Sequence, residues 1–294
     1  MIRVAIVGLG NIGRFALDAV QAANDMELVG IVRRKAAERD IGGVPVVEDV
    51  GDLGKIDVAL LCTPTLSVEE TAPQYLSRGI ATVDSFDVHG KIPALREKLD
   101  AAARAGGSVA VVSAGWDPGS DSVVRALLEA CAPNGITYTN FGPGMSMGHT
   151  VAVKGKDGVA GALSMTIPMG TGVHRRMVYV QLEPGAKLEA VAAQVKADPY
   201  FASDETHVIA VEDINALIDM GHGVNMVRKG TSGKSCNQLF EFNMKINNPA
   251  LTSQIMVGCA RAALRQKPGA YTMIELPPVD LLPGKREEWV ARLV

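Results

Sequence analysis

With 294 residues, 47% of them hydrophobic, the chain is long enough for two domains with substantial cores. A net charge of −3 leaves no basic field to attract nucleic acid. No apolar run reaches the roughly 18 residues needed to span a bilayer, and the first strand begins at Ile2, so a cytoplasmic protein without a secretory leader is expected. The four cysteines, Cys62, Cys131, Cys236 and Cys259, form no CxxC pair and read as buried reduced thiols.

The chain opens on a β-branched run, residues 2–7, which ends in Gly8-Leu9-Gly10-Asn11-Ile12-Gly13 and passes into a helical pattern through Phe15, Ala16, Ala19 and Val20. A GxGxxG between strand and helix is a dinucleotide turn: Gly8 for the tight turn, Gly10 for approach of the backbone to a pyrophosphate, Gly13 for close helix–strand packing. The helix N-terminus then presents free amides to the phosphates. A second run, residues 28–32, ends in Arg33-Arg34-Lys35. NAD sites hold the ribose 2′-hydroxyl with an acidic residue at this position, whereas a guanidinium here matches the 2′-phosphate of NADP. The competing reading is a solvated basic turn.

Strands and helices continue to alternate: strands at 44–47, 56–62, 80–84 and 109–112, helices at 69–78 and 95–105. This alternation predicts a Rossmann-type, doubly wound parallel sheet. Ligands of such sheets bind beyond the strands' carboxyl ends. Thr63-Pro64-Thr65, Ser85-Phe86-Asp87 and Trp116-Asp117 fall at those ends and are expected to face the same crevice as the glycine turn. After a helix at 122–131 the pattern changes to alternating stretches at 136–141, 162–168, 176–182, 207–211 and 238–244. These predict a second, α+β domain with an open, largely antiparallel sheet. A late helix at 249–263 is expected to pack back on the first domain, and an irregular tail to begin at Glu275. The expected division is 1–118 for the dinucleotide domain, with 249–294 returning to it, and 119–248 for the second domain.

Asp87 and Asp117 form the chemically informative pair, since two carboxylates attract a substrate ammonium and can accept its proton. Asp117-Pro118 equally reads as a helix N-cap with proline at the first helical position, and Trp116 reads as pocket wall or core. In the second domain Thr166, Arg176, His222 (in an expected loop at 221–225) and Asn248 have the donors for a carboxylate clamp. Each singly reads as a surface or turn residue. The five histidines show neither HExxH nor Cys–His clustering, so no catalytic metal is expected. Lys234, within Thr231-Ser232-Gly233-Lys234-Ser235, lacks the first glycine of a phosphate-binding loop.

Several segments taken together resemble the NADP-dependent diaminopimelate dehydrogenase family: the glycine turn with its strand, Gly30-Ile31-Val32-Arg33-Arg34, Asp84-Ser85-Phe86-Asp87, Ala114-Gly115-Trp116-Asp117-Pro118-Gly119, Phe141-Gly142-Pro143-Gly144-Met145-Ser146-Met147-Gly148-His149 and His174-Arg175-Arg176. The resemblance implies reversible oxidative deamination of the D-centre of meso-2,6-diaminopimelate to L-2-amino-6-oxopimelate and ammonia, within lysine and cell-wall precursor synthesis, by a homodimer. By motif it implies Asp87, Trp116 and Asp117 around the D-centre, Phe141, Met147 and Gly148 lining the cavity, and Thr166, Arg176, His222 and Asn248 on the distant L-centre. It also implies NADP held by Gly8, Leu9, Gly10, Asn11, Ile12, Gly13, Arg33, Arg34, Lys35, Thr63, Pro64, Thr65, Ser85 and Phe86. Between Thr166 and Arg176 the chain is shorter than members that carry an insert there. The residues alone leave Asp87, Asp117 and water open as the base. Rival readings are another two-domain NADP oxidoreductase, of dihydrodipicolinate-reductase or sugar-dehydrogenase type, and a non-catalytic NADPH-sensing regulator.

Overall fold

The computed structural model describes residues 1–35, 38–218 and 222–294. It divides into two compact units, one formed by Met1–Ala126 with Pro249–Val294, the other by Leu127–Asn248.

The first unit follows the order β1 (Ile2–Val7), α1 (Asn11–Gln21), β2 (Met26–Val32), β3 (Asp40–Ile41), β4 (Val44–Val47), β5 (Val58–Leu61), α2 (Val68–Leu76), β6 (Ala81–Asp84), α3 (Ile92–Gly106), β7 (Val109–Val111) and α4 (Ser120–Cys131), which crosses into the second unit. The second unit continues with β8 (Asn134–Phe141), β9 (Gly144–Met145), α5 (Met147–Lys154), β10 (Val159–Gly170), β11 (Val173–Leu182), α6 (Leu188–Ala197), β12 (Glu205–Ala210), β13 (His222–Ser232) and β14 (Ser235–Ile246). The chain returns to the first unit through α7 (Asn248–Ala263), β15 (Gly269–Tyr271) and α8 (Arg286–Leu293).

The sheet of the first unit has the order β15-β7-β6-β5-β1-β2-β4-β3 and is parallel except at β3–β4. Its strands read as continuous apolar runs because both faces are covered. Val4, Ile6, Val58, Leu60, Val83 and Val111 pack on one face with Ala16 and Val20 of α1 and Met256, Val257 and Ala260 of α7. Ala5, Val7, Ala59, Leu61 and Ala110 turn to the other face, against Ala72 and Leu76 of α2 and Leu95, Leu99 and Ala103 of α3. Each fully buried Val or Leu contributes about 1.5–3 kcal/mol. α7 is small-sided and buried over most of its C-terminal half, and it is fixed by Arg261, whose Nε and Nη2 reach Asp25 at 2.7 and 2.8 Å.

The second unit has two sheets where one was expected. β12-β11-β10-β9 is antiparallel except for the parallel pair β11–β12, and β14-β13-β8 is wholly antiparallel. Val191 and Val195 of α6 and Val153 of α5 close on Ala162, Val178 and Val180. The short link between β10 and β11 is a tight hairpin turn, with Thr171 at φ 53° and Gly172 at φ 81°. Gly233 and Lys234 form the turn between β13 and β14.

Three further expectations change. The stretch expected as a loop at 221–225 enters β13 at His222, whose backbone pairs with Ile246; the glycines on either side hid the strand. The side chain of His222 lies outside the described residues. The tail expected to be irregular from Glu275 ends in the helix α8, and the short strand β15 just before it adds to the sheet edge. Of the cysteines, Cys259 is buried and Cys62 half-buried, but Cys131 and Cys236 are exposed, since they lie at the end of α4 and near the start of edge strand β14.

Candidate active site

β1 ends at the glycine turn, where Gly8 takes φ 91° and its N–H donates to Val32 O at 2.9 Å. A Cβ on Gly8 would stand 2.7 Å from Cys62 O, and one on Gly13 would stand 2.3 Å from Gly8 O, so both positions exclude side chains. A Cβ on Gly10 would meet nothing within 4 Å, leaving the backbone open to a ligand. α1 starts at Asn11 with no side chain capping it among the described residues, and Ser253 Oγ of α7 anchors its first turn at Ile12 O across 2.9 Å. Uncapped amides of this kind suit a phosphate.

A cavity of about 1040 Å³ adjoins this turn. It is lined by Gly8, Leu9, Gly10, Asn11 and Ile12, by Arg33, Arg34 and Lys35 beyond β2, and by Thr63 and Pro64 beyond β5. Arg33 is half-buried, with its N–H fixed to Val47 O at 2.9 Å, while Arg34 and Lys35 are exposed. Glu48, Glu70 and Gln74 complete the polar wall. An open cavity at a helix N-terminus beside two guanidinium groups fits a dinucleotide with a 2′-phosphate. Thr65, Ser85 and Phe86 stand outside this lining, and Gly13 lies behind it as a packing contact.

The expected carboxylates are both at carboxyl ends of strands. Asp87 follows β6, is exposed, and accepts a hydrogen bond from Thr65 Oγ1 at 2.8 Å. Asp117 follows β7, but not as the cap of α4: that helix begins at Ser120, and Asp117–Pro118 is a cis peptide lying outside it. The Asp117 side chain instead hydrogen-bonds Asp121, which is fully buried on α4 and pairs with Arg125 at 3.1 Å. Burial pushes both carboxyls up, Asp121 to about 7, with the charge of Asp117 adding to its shift. Two carboxyls in hydrogen-bond contact, Asp121 fully buried and Asp117 half-buried, cannot both ionise readily, so the pair favours one shared proton. Trp116 is 4% exposed, so burial dominates its role, and its carbonyl accepts from Asp121 N at 3.0 Å.

In the second unit β10 and β11 place Thr166 directly opposite Arg176. Arg176 Nη1 donates to Thr166 Oγ1, and its Nε donates to Asp204 Oδ2 at 2.6 Å. Arg176 is thus an oriented cation in a partly buried pair, with 13% of its side chain exposed. Phe141 N donates to His174 Nε2 at 2.8 Å. Burial, assisted by the charge of Arg176, holds His174 below the usual imidazole range, in keeping with an accepting ring nitrogen. Met147 and Gly148 open α5, and His149 braces that turn between Ser146 Oγ at 2.8 Å and Tyr200 O at 3.0 Å. Since a carbonyl only accepts, His149 Nε2 carries the proton. Asn248 is the half-buried first residue of α7. Among the described residues no group of three or more His, Cys, Asp or Glu is placed to hold a metal ion.

Sequence reasoning missed Asp121 and Asp204. Asp121 stands four residues after Asp117, a proximity in sequence that was legible; Asp204 meets Arg176 only through sheet pairing.

The chain matches the oxidoreductase family, NAD-binding Rossmann fold, over residues 2–84 and the diaminopimelic acid dehydrogenase C-terminal domain over residues 115–173. Fold and cavity together define a Rossmann-type oxidoreductase. The chain is 62% identical over 296 residues to a meso-diaminopimelate D-dehydrogenase of Bacteroides fragilis, covering 100% of this chain and 99% of that one. It is 38% identical over 307 residues to the enzyme of that name from Lysinibacillus sphaericus, covering 94% of each. Accordingly, the chain belongs to the meso-diaminopimelate D-dehydrogenase family. Among solved structures it is similar to the C. glutamicum DAP dehydrogenase in complex with DAP, with TM-score 0.89 and 32% identity over 100% of this chain and 99% of that one. An engineered D-amino acid dehydrogenase bound to NADP+ gives TM-score 0.83 and 31% identity over the same shares. A dihydrodipicolinate reductase from Paenisporosarcina, at 17% identity and TM-score 0.52 over 94% of this chain and 98% of that one, shares the fold alone.

Proposed function

We propose that the chain catalyses the reversible, NADP-dependent oxidative deamination of the D-centre of meso-2,6-diaminopimelate, giving L-2-amino-6-oxopimelate and ammonia. The full-length identity of 62% to an enzyme of that name carries this reading, and the chemistry of the residues described above agrees with it.

Gly8, Gly10, Asn11 and Ile12 would hold the pyrophosphate, and Arg33 and Arg34, with Lys35, the 2′-phosphate; Thr63 and Pro64, which line the same cavity, complete the cofactor set. Bound there, NADP would supply the acceptor for a hydride from the D-carbon. That transfer requires a neutral nitrogen. Asp87 and Asp117 attract the substrate ammonium and orient it, and a carboxylate there can take the proton it must lose. The proton shared with Asp121 limits how much negative charge Asp117 carries before substrate arrives. Trp116 stands with Asp87 and Asp117 around the D-centre, while Phe141, Met147 and Gly148 line the remainder. Thr166, Arg176, His222 and Asn248 hold the L-centre. Arg176 binds its carboxylate with donors left over after Asp204 and Thr166 are served, so the D-carbon alone is presented for reaction. We further propose a homodimer acting in the cytosol. No helix among the described residues is long and apolar enough to cross a membrane.

The purified chain, incubated with meso-diaminopimelate and NADP, is expected to form reduced cofactor and ammonia in equal amounts. Cofactor binding without turnover would instead indicate a sensor, and turnover with dihydrodipicolinate or a sugar alone would indicate a rival oxidoreductase. A mass in solution equal to one chain would contradict the dimer.

A further inference from the structure

Asp84 ends β6 with a fully buried side chain, and its register partner on β5 is Leu61. Its Oδ1 accepts two backbone hydrogen bonds, from Phe86 N at 2.9 Å and from Ser113 N at 3.0 Å. Its carbonyl accepts a third, from Ala114 N at 2.6 Å. The first donor immediately precedes Asp87. The other two open the segment that leads to Trp116 and Asp117, with Ser113 in the left-handed region at φ 59°. Asp84 Oδ2 is buried with no hydrogen-bond partner among the described residues. Burial lifts the carboxyl to about 6, and the only other titratable group described as sensing it is the buried thiol of Cys259 on α7. A carboxyl in such surroundings is costly to bury, and an apolar residue would fill the same space without that cost. What the carboxyl supplies, and an apolar residue cannot, is one acceptor atom common to two loops.

We propose that Asp84 is the positioning residue that sets the Asp87 loop and the Trp116–Asp117 loop at a fixed separation by binding a backbone amide of each through a single oxygen. The inference rests on the reading that Asp87 and Asp117 hold the reacting nitrogen. Hydride transfer tolerates little error in the placement of the groups that orient the substrate, and two loops referenced to one atom cannot drift independently.

The test compares Asp84→Ala, which removes the shared acceptor, with Asp84→Asn, which keeps an oxygen in its place. In the alanine variant kcat with meso-diaminopimelate is expected to fall by about tenfold or more, while the dissociation constant for NADP, measured by titration, changes by less than about twofold. The asparagine variant is expected to recover most of the loss. Wild-type turnover in Asp84→Ala, or equal loss in both variants together with lost NADP binding, would overturn the proposal. Should the alanine variant not fold, amide hydrogen exchange in Asp84→Asn decides the matter: the weaker neutral acceptor is expected to speed exchange at Phe86 and Ser113 together, and exchange at one without the other would overturn it. Asp87→Asn and Asp117→Asn serve as controls. If they remain fully active the site reading itself fails, whereas inactive controls beside an active Asp84→Ala would sink only the role given to Asp84.

Discussion

Thr65 Oγ1 donates to Asp87 Oδ1 across 2.8 Å, so the end of β5 orients the exposed carboxylate that follows β6. One such bond contributes about 0.5–1.5 kcal/mol net. Thr65→Val is therefore expected to lower kcat/KM for meso-diaminopimelate by roughly three- to tenfold, with NADP affinity retained because Thr65 stands outside the lining of the cofactor cavity. Steady-state kinetics beside a cofactor titration checks this; an unchanged kcat/KM would mean that Asp87 needs no such restraint.

Arg33 and Arg34 are the guanidinium groups beyond β2 that line the cavity, beside Lys35. Replacing both with alanine is expected to raise KM for NADP by about 100-fold or more, at roughly 1.5–3 kcal/mol for each charged hydrogen bond lost, while KM for NAD changes little. Equal changes for the two cofactors would show that the arginines do not read the 2′-phosphate.

Arg176 is held by Asp204 and Thr166, so its guanidinium is oriented before any ligand arrives. Arg176→Ala is expected to raise KM for meso-diaminopimelate by about 10- to 100-fold and to affect slow oxidation of D-amino acids with a single carboxylate far less. If both substrate types suffer equally, Arg176 is no distal clamp.

Asp84 also leaves a mark on stability. Its carboxyl titrates near 6 in the folded chain, above the ordinary carboxylate range. An acid raised by burial favours the folded state least above its folded pKa, where both forms have ionised and the folded one carries the cost of a buried charge. Its contribution is intact below about pH 4 and is lost progressively up to about pH 6, for a total on the order of 2–3 kcal/mol. Asp84→Asn abolishes this titration. The difference in unfolding free energy between variant and wild type is expected to shift in favour of the variant between pH 4 and pH 7, as measured by denaturant melts; a difference independent of pH would contradict the burial of an ionisable group there.

Local signals in the sequence carried the dinucleotide half. Strand, glycine turn and uncapped helix lie within some twenty consecutive residues, and the apolar runs of β1, β5 and β7 declare a sheet covered on both faces. Positions at strand ends likewise placed Asp87 and Asp117 correctly beyond β6 and β7. What depends on distant pairing was hidden. Arg176 meets Asp204 only because β11 and β12 run side by side, and Asp84 meets Ser113 only through the parallel neighbours β6 and β7. β13 was masked by Gly221 and Gly223, residues that usually mark turns, while its partner β14 supplies the hydrogen bonds that make it a strand. Asp117 misled for a different reason: aspartate before proline is a good cap in isolation, but the chain uses Pro118 and Gly119 to turn before α4 begins. The spacing of Val191 and Val195 on α6 was available as a helical signal and was not read.

The central claim is that Asp87 and Asp117 gather around the reacting nitrogen beside the nicotinamide. A crystal structure of the chain with NADP and meso-diaminopimelate measures this directly. The expected result is the D-carbon within about 3.5 Å of the acceptor carbon of the ring, its nitrogen in hydrogen-bond contact with both carboxylates. A complex with either aspartate turned to solvent, or with the L-carbon against the ring, would contradict it.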